Sequence, residues 1–392
     1  MSTESNKGVK MPLLAGLTQT RESLAKTVVV PNMAPMNEKP TSAWDMQLKK
    51  IGPYQIVKVL GFGGVGTVFE ALDTQINRQV ALKVLNRKWI NDDVAKERFL
   101  REARLSAMVK SPHVAMIHAV GDDDGVPYLA MELLSGFSLE ELIHQVKLTM
   151  PQILRLAREM AKGLAAAHSH NLIHRDIKPG NIWLETLPDP SGHDKKVYRV
   201  KILDFGLARL QEQTDGLTRH GVVVGTPLYM SPEQINGSKL DPRSDLFSLG
   251  VVLYQLCTGK QPFHGESVAD VWDAILRVNP VNAREINPEV PQKFARLIDR
   301  LLNKSRDNRP LDAVNVVRLV EIIESEEERR IVKQVARAAV QKNLPNSTPP
   351  QAAGAAGEIQ PLIKLLLIAS LVMNLVMMVG MGVLIYLLLT RH

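Results

Sequence analysis

The spacing of apolar residues changes once along this chain, and that change restricts the fold more than any other feature. Over Tyr54–Leu60, Thr67–Leu72 and Gln79–Leu85 the apolar positions alternate. A repeat of two is the mark of a strand with one face buried. The repeat then becomes helical, first in Ala95–Lys110 and again in Ile153–His170. A strand-rich half followed by a helix-rich half predicts an α+β chain with its elements segregated or set in two lobes.

Composition supports a folded chain. Of 392 residues, 45% are hydrophobic and 23% charged, which excludes a wholly disordered or collagen-like polymer. The length suggests two or three units. The single cysteine, Cys257, excludes an internal disulfide framework and a Cys-rich zinc site, and fits a reducing compartment. The net charge of +7 is mild, and no nucleic-acid partner is read from it.

Texture divides the chain further. Residues 1–53 lack a sustained apolar repeat and read as a flexible leader without the apolar core of a secretory signal. Residues 54–325 read as globular. Residues 326–361 begin charged, pass through a basic helical stretch, Val332–Lys342, and end in a Pro- and Ala-rich linker. The segment 362–389 contains Leu365–Leu389, apolar almost throughout and without charge, followed by a tail of three residues, 390–392. At about 1.5 Å per residue such a helix spans the roughly 30 Å hydrocarbon layer, so a single transmembrane helix is expected. A buried core helix is the other reading. Asn374 near its middle offers a hydrogen bond to a partner helix, which leaves room for a homodimer.

Four constellations carry chemistry. In Gly61-Phe62-Gly63-Gly64-Val65-Gly66 the glycines let backbone N–H groups approach phosphate oxygens. The next residues, Thr67-Val68-Phe69, favour a strand rather than the helix a dinucleotide fingerprint opens, so the loop reads as a hairpin lid. An ordinary glycine turn is the alternative. In Val80-Ala81-Leu82-Lys83 a lysine sits among apolar neighbours and, if buried, needs an anion: phosphate oxygens, or Glu102 on the following helix. In solvent on an edge strand it needs none. His174-Arg175-Asp176-Ile177-Lys178-Pro179-Gly180-Asn181 reads as a loop presenting Asp, Lys and Asn together. In Asp204-Phe205-Gly206 a carboxylate ends an apolar strand as a candidate Mg²⁺ ligand, with Asn181 supplying a second oxygen. Either of these last two alone also fits a simple turn.

In this order, and followed by Ser231-Pro232-Glu233, these motifs resemble the bacterial membrane-anchored branch of the eukaryotic-like (Hanks-type) serine/threonine protein kinases; the order is the general kinase signature. The resemblance implies a two-lobed kinase fold. A small lobe, 54–134, holds an antiparallel sheet and one helix, and a mainly helical lobe covers 135–325. It implies that Gly61, Phe62, Gly63, Gly64, Val65 and Gly66 cover the phosphates of ATP. Lys83 holds the α/β-phosphates and pairs with Glu102, Asp176 is the catalytic base, Lys178 stabilises the transferring phosphoryl group, and Asn181 and Asp204 bind Mg²⁺. Val68 and Ala81 roof the adenine, Met131 is the gatekeeper, Glu132–Leu134 form the hinge, and Trp183 lies beneath the base. Asp245 braces the loop, and Arg309 pairs with Glu233.

Lys178 and Thr226 point to Ser/Thr rather than Tyr acceptors within that resemblance. Arg175 beside the base suggests an activation-segment phosphate, with Thr218 the favoured site and Thr214 the runner-up. Trp183 departs from the smaller residue usual there. The polar segment Leu187–Tyr198 is expected to be a loop without catalytic role. His168 and His170, two apart on a helix, do not share a face for metal binding, and Cys257 in an apolar helical run is expected to be buried and inert. Protein substrates, a cytoplasmic kinase face at the inner membrane and an anchoring C-terminal helix complete the expectation. The competing readings are an inactive pseudokinase scaffold at the membrane, against which Lys83, Asp176, Asn181 and Asp204 argue, and a small-molecule phosphotransferase.

Overall fold

The structure, a computed structural model, describes residues 48–188, 197–205 and 227–342. Most of the leader, Thr214, Thr218, Thr226 and the apolar segment 362–389 lie outside the described residues. The chain divides into two units, Met1–Gln334 and Val335–His392, and the lobes described here belong to the first.

The first lobe is a six-stranded sheet in the order β1-β2-β3-β4-β6-β5. Its strands are β1 (Lys50–Ile51), β2 (Tyr54–Phe62), β3 (Gly66–Asp73), β4 (Arg78–Leu85), β5 (Ile117–Asp123) and β6 (Val126–Glu132). Every neighbouring pair is antiparallel. The alternation read from sequence decides which side chains turn inward. Phe69, Ala71, Val80, Leu82, Val84 and Ala130 form one buried layer. Leu85, Trp89, Phe99, Ala103 and Leu129 form the layer against helix α1 (Asp93–Ala107). Asp92 caps α1 by accepting a hydrogen bond from the Ala95 N–H at 3.0 Å, satisfying one of the otherwise open donors of its first turn.

The second lobe begins with β7 (Gly136–Ser138) and α2 (Leu139–Ile143), followed by α3 (Met150–His168). Strands β8 (Ile182–Leu187) and β9 (Val197–Ile202) join β7 in a three-stranded sheet. Then come α4 (Pro232–Ile235), α5 (Pro242–Thr258), α6 (Val268–Arg277), α7 (Ala283–Ile286), α8 (Gln292–Leu301) and α9 (Ala313–Lys342). Helix α5 is apolar nearly all round, and its burial follows from that. Leu246, Phe247, Leu249, Val251, Val252 and Leu253 are fully enclosed. Gly259 ends α5 in the left-handed conformation, φ 71°, with its N–H bonded to the Gln255 carbonyl, the usual glycine stop.

One sequence expectation is corrected here. Leu187 and Val197–Tyr198 are strand rather than loop, because Tyr198 buries its ring against Phe137, with centroids 5.2 Å apart. The expected transmembrane segment is not part of the described structure, and among the described residues no helix is long and apolar enough to cross a membrane.

The lobes are stitched at the segment before β5. The Ile202 N–H donates to the His113 carbonyl at 2.9 Å, and the Ala115 N–H donates to the Ile202 carbonyl at 3.0 Å. Although it leads from α1 into β5, this segment is therefore bonded to a strand of the second lobe.

Candidate active site

The glycine hairpin is built as the flanking residues require. Strands β2 and β3 pair from Tyr54↔Asp73 to Phe62↔Thr67, leaving residues 63–65 as the turn. At Gly66 a Cβ would stand 2.5 Å from the Val84 carbonyl oxygen, so only glycine fits this close approach of backbones. Asn86 Nδ2 donates to the carbonyls of Gly63 (2.8 Å) and Gly64 (3.2 Å), and the Trp89 indole N–H donates to Gly64 at 3.3 Å. Neither residue was among the sequence candidates, because their role is to hold backbone that lies far away in sequence. Val65 is buried against the small-lobe core, so this residue offers a ligand its backbone only.

Lys83 is buried, as its apolar strand dictates, and it has an anion. Its Nζ lies 2.7 Å from Asp204 Oδ1. The implied pairing with Glu102 is corrected by this geometry. Glu102 Oε1 instead faces Arg175 Nη1 at 3.7 Å, and Asp204 is the carboxylate presented to the ammonium. Burial pushes the Asp204 carboxyl pKa up, but the charge and hydrogen bond of Lys83, with His174 and Lys178 behind them, outweigh it and hold the group below its usual value.

The loop that carries Asp176 is fixed from three sides. Asp245, on α5, accepts hydrogen bonds from the backbone N–H groups of His174 and Arg175, both at 2.8 Å, and contacts His168 Nε2 at 2.8 Å. Burial pushes the Asp245 pKa up, yet His168 and these N–H groups bring it below the ordinary range. The expected brace is thus present, and His168 is part of it rather than a metal ligand. Arg175 and Asp204 both adopt left-handed backbone, φ 70° and 57°, a conformation non-glycine residues seldom hold away from functional sites. His174 Nε2 bonds the Leu203 carbonyl at 2.7 Å, and its ring packs on Phe205 with centroids 4.6 Å apart.

Around Asp176, Lys178 Nζ lies 2.8 Å from the carboxylate Oδ2. Asn181 Nδ2 donates to the same oxygen at 2.9 Å and to the Asp176 carbonyl at 2.7 Å. With its amide nitrogen so engaged, Asn181 has its Oδ1 left to accept or to ligate. The Leu203 N–H donates to the Asn181 carbonyl at 2.9 Å, which sets Asn181 beside the Asp204 strand end. These hard oxygens and the glycine cradle fit a divalent cation and a phosphate chain.

Among the residues expected around the adenine, Val68 lies opposite Gly61 and Lys83, and Ala81 lies opposite Glu70 and Met131. Met131 lines a small cavity with Phe205, Asp204, Ile117 and Leu129. Glu132 ends β6, and Leu134 follows it into the crossing between lobes. Trp183, half-exposed on β8, donates its indole N–H to the Ser135 carbonyl at 3.3 Å, so this bulky residue is tied to the crossing. Lys201, 3% exposed, places Nζ 2.5 Å from Glu132 Oε1, which also accepts the Met116 N–H at 2.6 Å. Its signal was available in sequence: a lysine inside the apolar strand Val200–Leu203 poses the same problem as Lys83.

Scaffold contacts also stand. Arg309 grips Glu233 through two nitrogens, at 2.7 and 2.9 Å. Cys257 is buried, and burial pushes its thiol up to about 12, which makes it unreactive near neutrality.

Comparison with known proteins agrees with this geometry. Residues 54–315 match the family model of the protein kinase domain. The DNA damage-responsive serine/threonine-protein kinase RqkA of Deinococcus radiodurans is 38% identical over 263 residues, covering 66% of this chain and 38% of that protein. PrkC of Bacillus subtilis, a serine/threonine-protein kinase, is 34% identical over 63% of this chain and 37% of its own. This chain thus spans well under half the length of either relative. The crystal structure of the Mycobacterium tuberculosis PknI kinase domain superposes with a TM-score of 0.54 at 22% identity, over 69% of this chain and 96% of that one. That likeness shows the fold.

Proposed function

Because the chain belongs to the protein kinase domain family, we propose that it is a serine/threonine protein kinase, taking the γ-phosphate of ATP to Ser or Thr hydroxyls of proteins with Mg²⁺ as the metal. The observation that carries this reading is the meeting of Asp176, Lys178 and Asn181 within hydrogen-bond reach, tied through Leu203 to Asp204 and Lys83.

Each residue has a task that follows from its position. The Asp176 carboxylate, oriented by Asn181, accepts the proton of the substrate hydroxyl. Lys178 keeps positive charge beside it, where negative charge gathers on the transferring group. Asp204 stays ionised at neutral pH and, with Asn181 Oδ1, supplies oxygen ligands for the metal. Lys83 is a buried cation aimed at the same place, able to hold phosphate oxygens. The glycine hairpin excludes water above them. When bound, Mg²⁺–ATP supplies the phosphoryl group and neutralises its charge. Most of the acceleration then comes from alignment and charge placement rather than covalent chemistry.

The test is transfer of labelled phosphate by the full chain to protein and small-molecule acceptors. Incorporation into Ser or Thr is expected, falling by about 10²–10⁴-fold in Asp176→Asn. Incorporation that survives Lys83→Met, or none under any condition, overturns the reading.

The membrane reading is proposed alongside it. Leu365–Leu389, without a charged residue in twenty-five, supports a single C-terminal span with the kinase lobes on the cytoplasmic side. Alkaline extraction of cell membranes should leave the full chain in the pellet and release a chain ending at residue 361. Release of both removes the anchor. Phosphorylation of Thr218, or of Thr214, is supported by Arg175, whose Nε is buried without a hydrogen-bond partner. Phosphopeptide mapping that finds both threonines bare in active protein removes that part.

A further inference from the structure

The sheet of the small lobe ends on an edge that is covered only in part. Strand β1 has two residues and pairs with Tyr54 and Gln55 alone. One further bond, from the Ile56 N–H to the Lys49 carbonyl at 3.0 Å, extends that contact. Strand β2 runs on from Val57 to Phe62, with no strand on its outer side among the described residues. A bare strand edge is a template for another strand. Charge blunts many such edges, and the Lys58 side chain is 63% exposed here. Apolar side chains stand on this one as well. The pairing of β2 with β3 shifts at Val57 and at Leu60, and these residues are 56% and 45% exposed.

Beside this edge lies a groove of about 470 Å³. Ile56, Val59 and the fully buried Phe69 line it. Leu48, the first described residue, lines it too and packs on the same buried layer. The chain before Leu48 therefore begins at the groove, with no loop between.

We propose that Trp44–Gln47 continue β1 along the outer side of β2, with Met46 and Trp44 seated in the groove, and so brace the glycine hairpin. Direction supports this occupant. Strands β1 and β2 are antiparallel, so the chain traced back from Leu48 advances along β2 toward Phe62. Pattern supports it too. Trp44-Asp45-Met46-Gln47 alternates apolar and polar residues, and in an extended chain residues two apart share a face. Trp44 and Met46 then fall on the face of Leu48, which is already seated. At about 3.3 Å per residue, this segment reaches from Leu48 to the start of the hairpin.

The hairpin is held from one side by Asn86 and Trp89, which donate to the carbonyls of Gly63 and Gly64. A strand along β2 holds the outer side as well. Nucleotide then meets a lid that is already ordered, and its affinity is not reduced by the fraction of lids out of place. This effect on nucleotide rests on the protein-kinase reading; the strand pairing does not.

Amide hydrogen exchange of the full chain reads the pairing directly. The N–H groups of Val57–Leu60 should exchange at least about tenfold faster when Trp44→Asp and Met46→Asp are combined, because a bonded amide must open before it exchanges. Asp45→Ala, whose side chain lies on the opposite face, should leave the rate unchanged. In the double variant the Kd for magnesium ATP should rise about threefold by calorimetry. Thermal unfolding confirms that each variant is folded. Exchange unaltered in the double variant, or accelerated as much by Asp45→Ala, overturns the inference. Protection that grows with protein concentration assigns the edge to a second copy and overturns it too. Faster exchange with unchanged nucleotide affinity overturns the brace. Absence of nucleotide binding in the parent chain overturns the kinase reading, while the exchange rates still decide the strand.

Discussion

Lys83 and Asp204 are joined at 2.7 Å across the cleft, one from the sheet of the small lobe and one from the strand end after β9. Lys83 is the main influence that holds the Asp204 carboxyl below its usual value, with His174 and Lys178 adding to it. Replacing Lys83 with Met leaves Asp204 half-buried with its strongest counter-charge gone. We expect a stability loss of about 1–3 kcal/mol and at least about tenfold weaker binding of magnesium nucleotide, a loss of about 1.4 kcal/mol. Urea unfolding and calorimetric titration measure the two separately.

Lys201 should govern nucleotide affinity more than turnover. Its buried ammonium holds the Glu132 carboxylate, and the Glu132 backbone is where the chain crosses between lobes. In Lys201→Met the KM for ATP should rise about tenfold, equivalent to about 1.4 kcal/mol, with a smaller change in kcat. Lys201→Arg should recover part of the loss, since it restores the charge. Equal changes in both constants would argue for a merely structural lysine.

Arg309 and Glu233 form the most deeply buried ion pair among the described residues, with side-chain exposures of 0% and 7%. Removing one partner leaves the other charge unpaired, so Arg309→Met should cost about 3–5 kcal/mol by urea unfolding. The pair also has an acid dependence. Burial pushes the Glu233 pKa up, but Arg309 and the Ser244 hydroxyl outweigh it, and the group sits below its ordinary 4.5. Its contribution is therefore complete above pH 4.5 and is lost as pH falls through the lowered folded value. The variant should show a shallower acid transition than the parent.

Lys304 should act at the other end of the pH range. It donates to the Ile275 carbonyl at 2.6 Å and lies 3.8 Å from the Phe263 ring centre. Burial, with Arg309 nearby, lowers its pKa to about 8 from 10.5. Below pH 8 both folded and unfolded chains hold the proton. Between about 8 and 10.5 the unfolded chain holds more, so stability should climb with pH. Lys304→Met should remove that rise, read as Tm between pH 7.5 and 10.

The sequence disclosed what depends on local rules. Alternation around Phe69 and Leu82 marked the sheet, and Pro179-Gly180 marked the loop. A buried lysine in Val80–Lys83 announced an anionic partner. Which anion it takes was not legible, because Glu102 and Asp204 approach from different directions and only tertiary geometry ranks them. The same limit applies to Asn86 and Trp89 behind the hairpin. Tyr198 was misread for a related reason. Its polar neighbours hide a strand that buries on one side only.

The bonds from Ile202 to His113 and Ala115, taken with the Lys201 grip on Glu132, give the small lobe two attachment points on the large one. A body pinned at two points keeps a single easy rotation, about the line through both pins. The cleft is then expected to open as a door swings on its jamb, and a bulky residue placed along that axis should hinder the entrance without touching the chemistry.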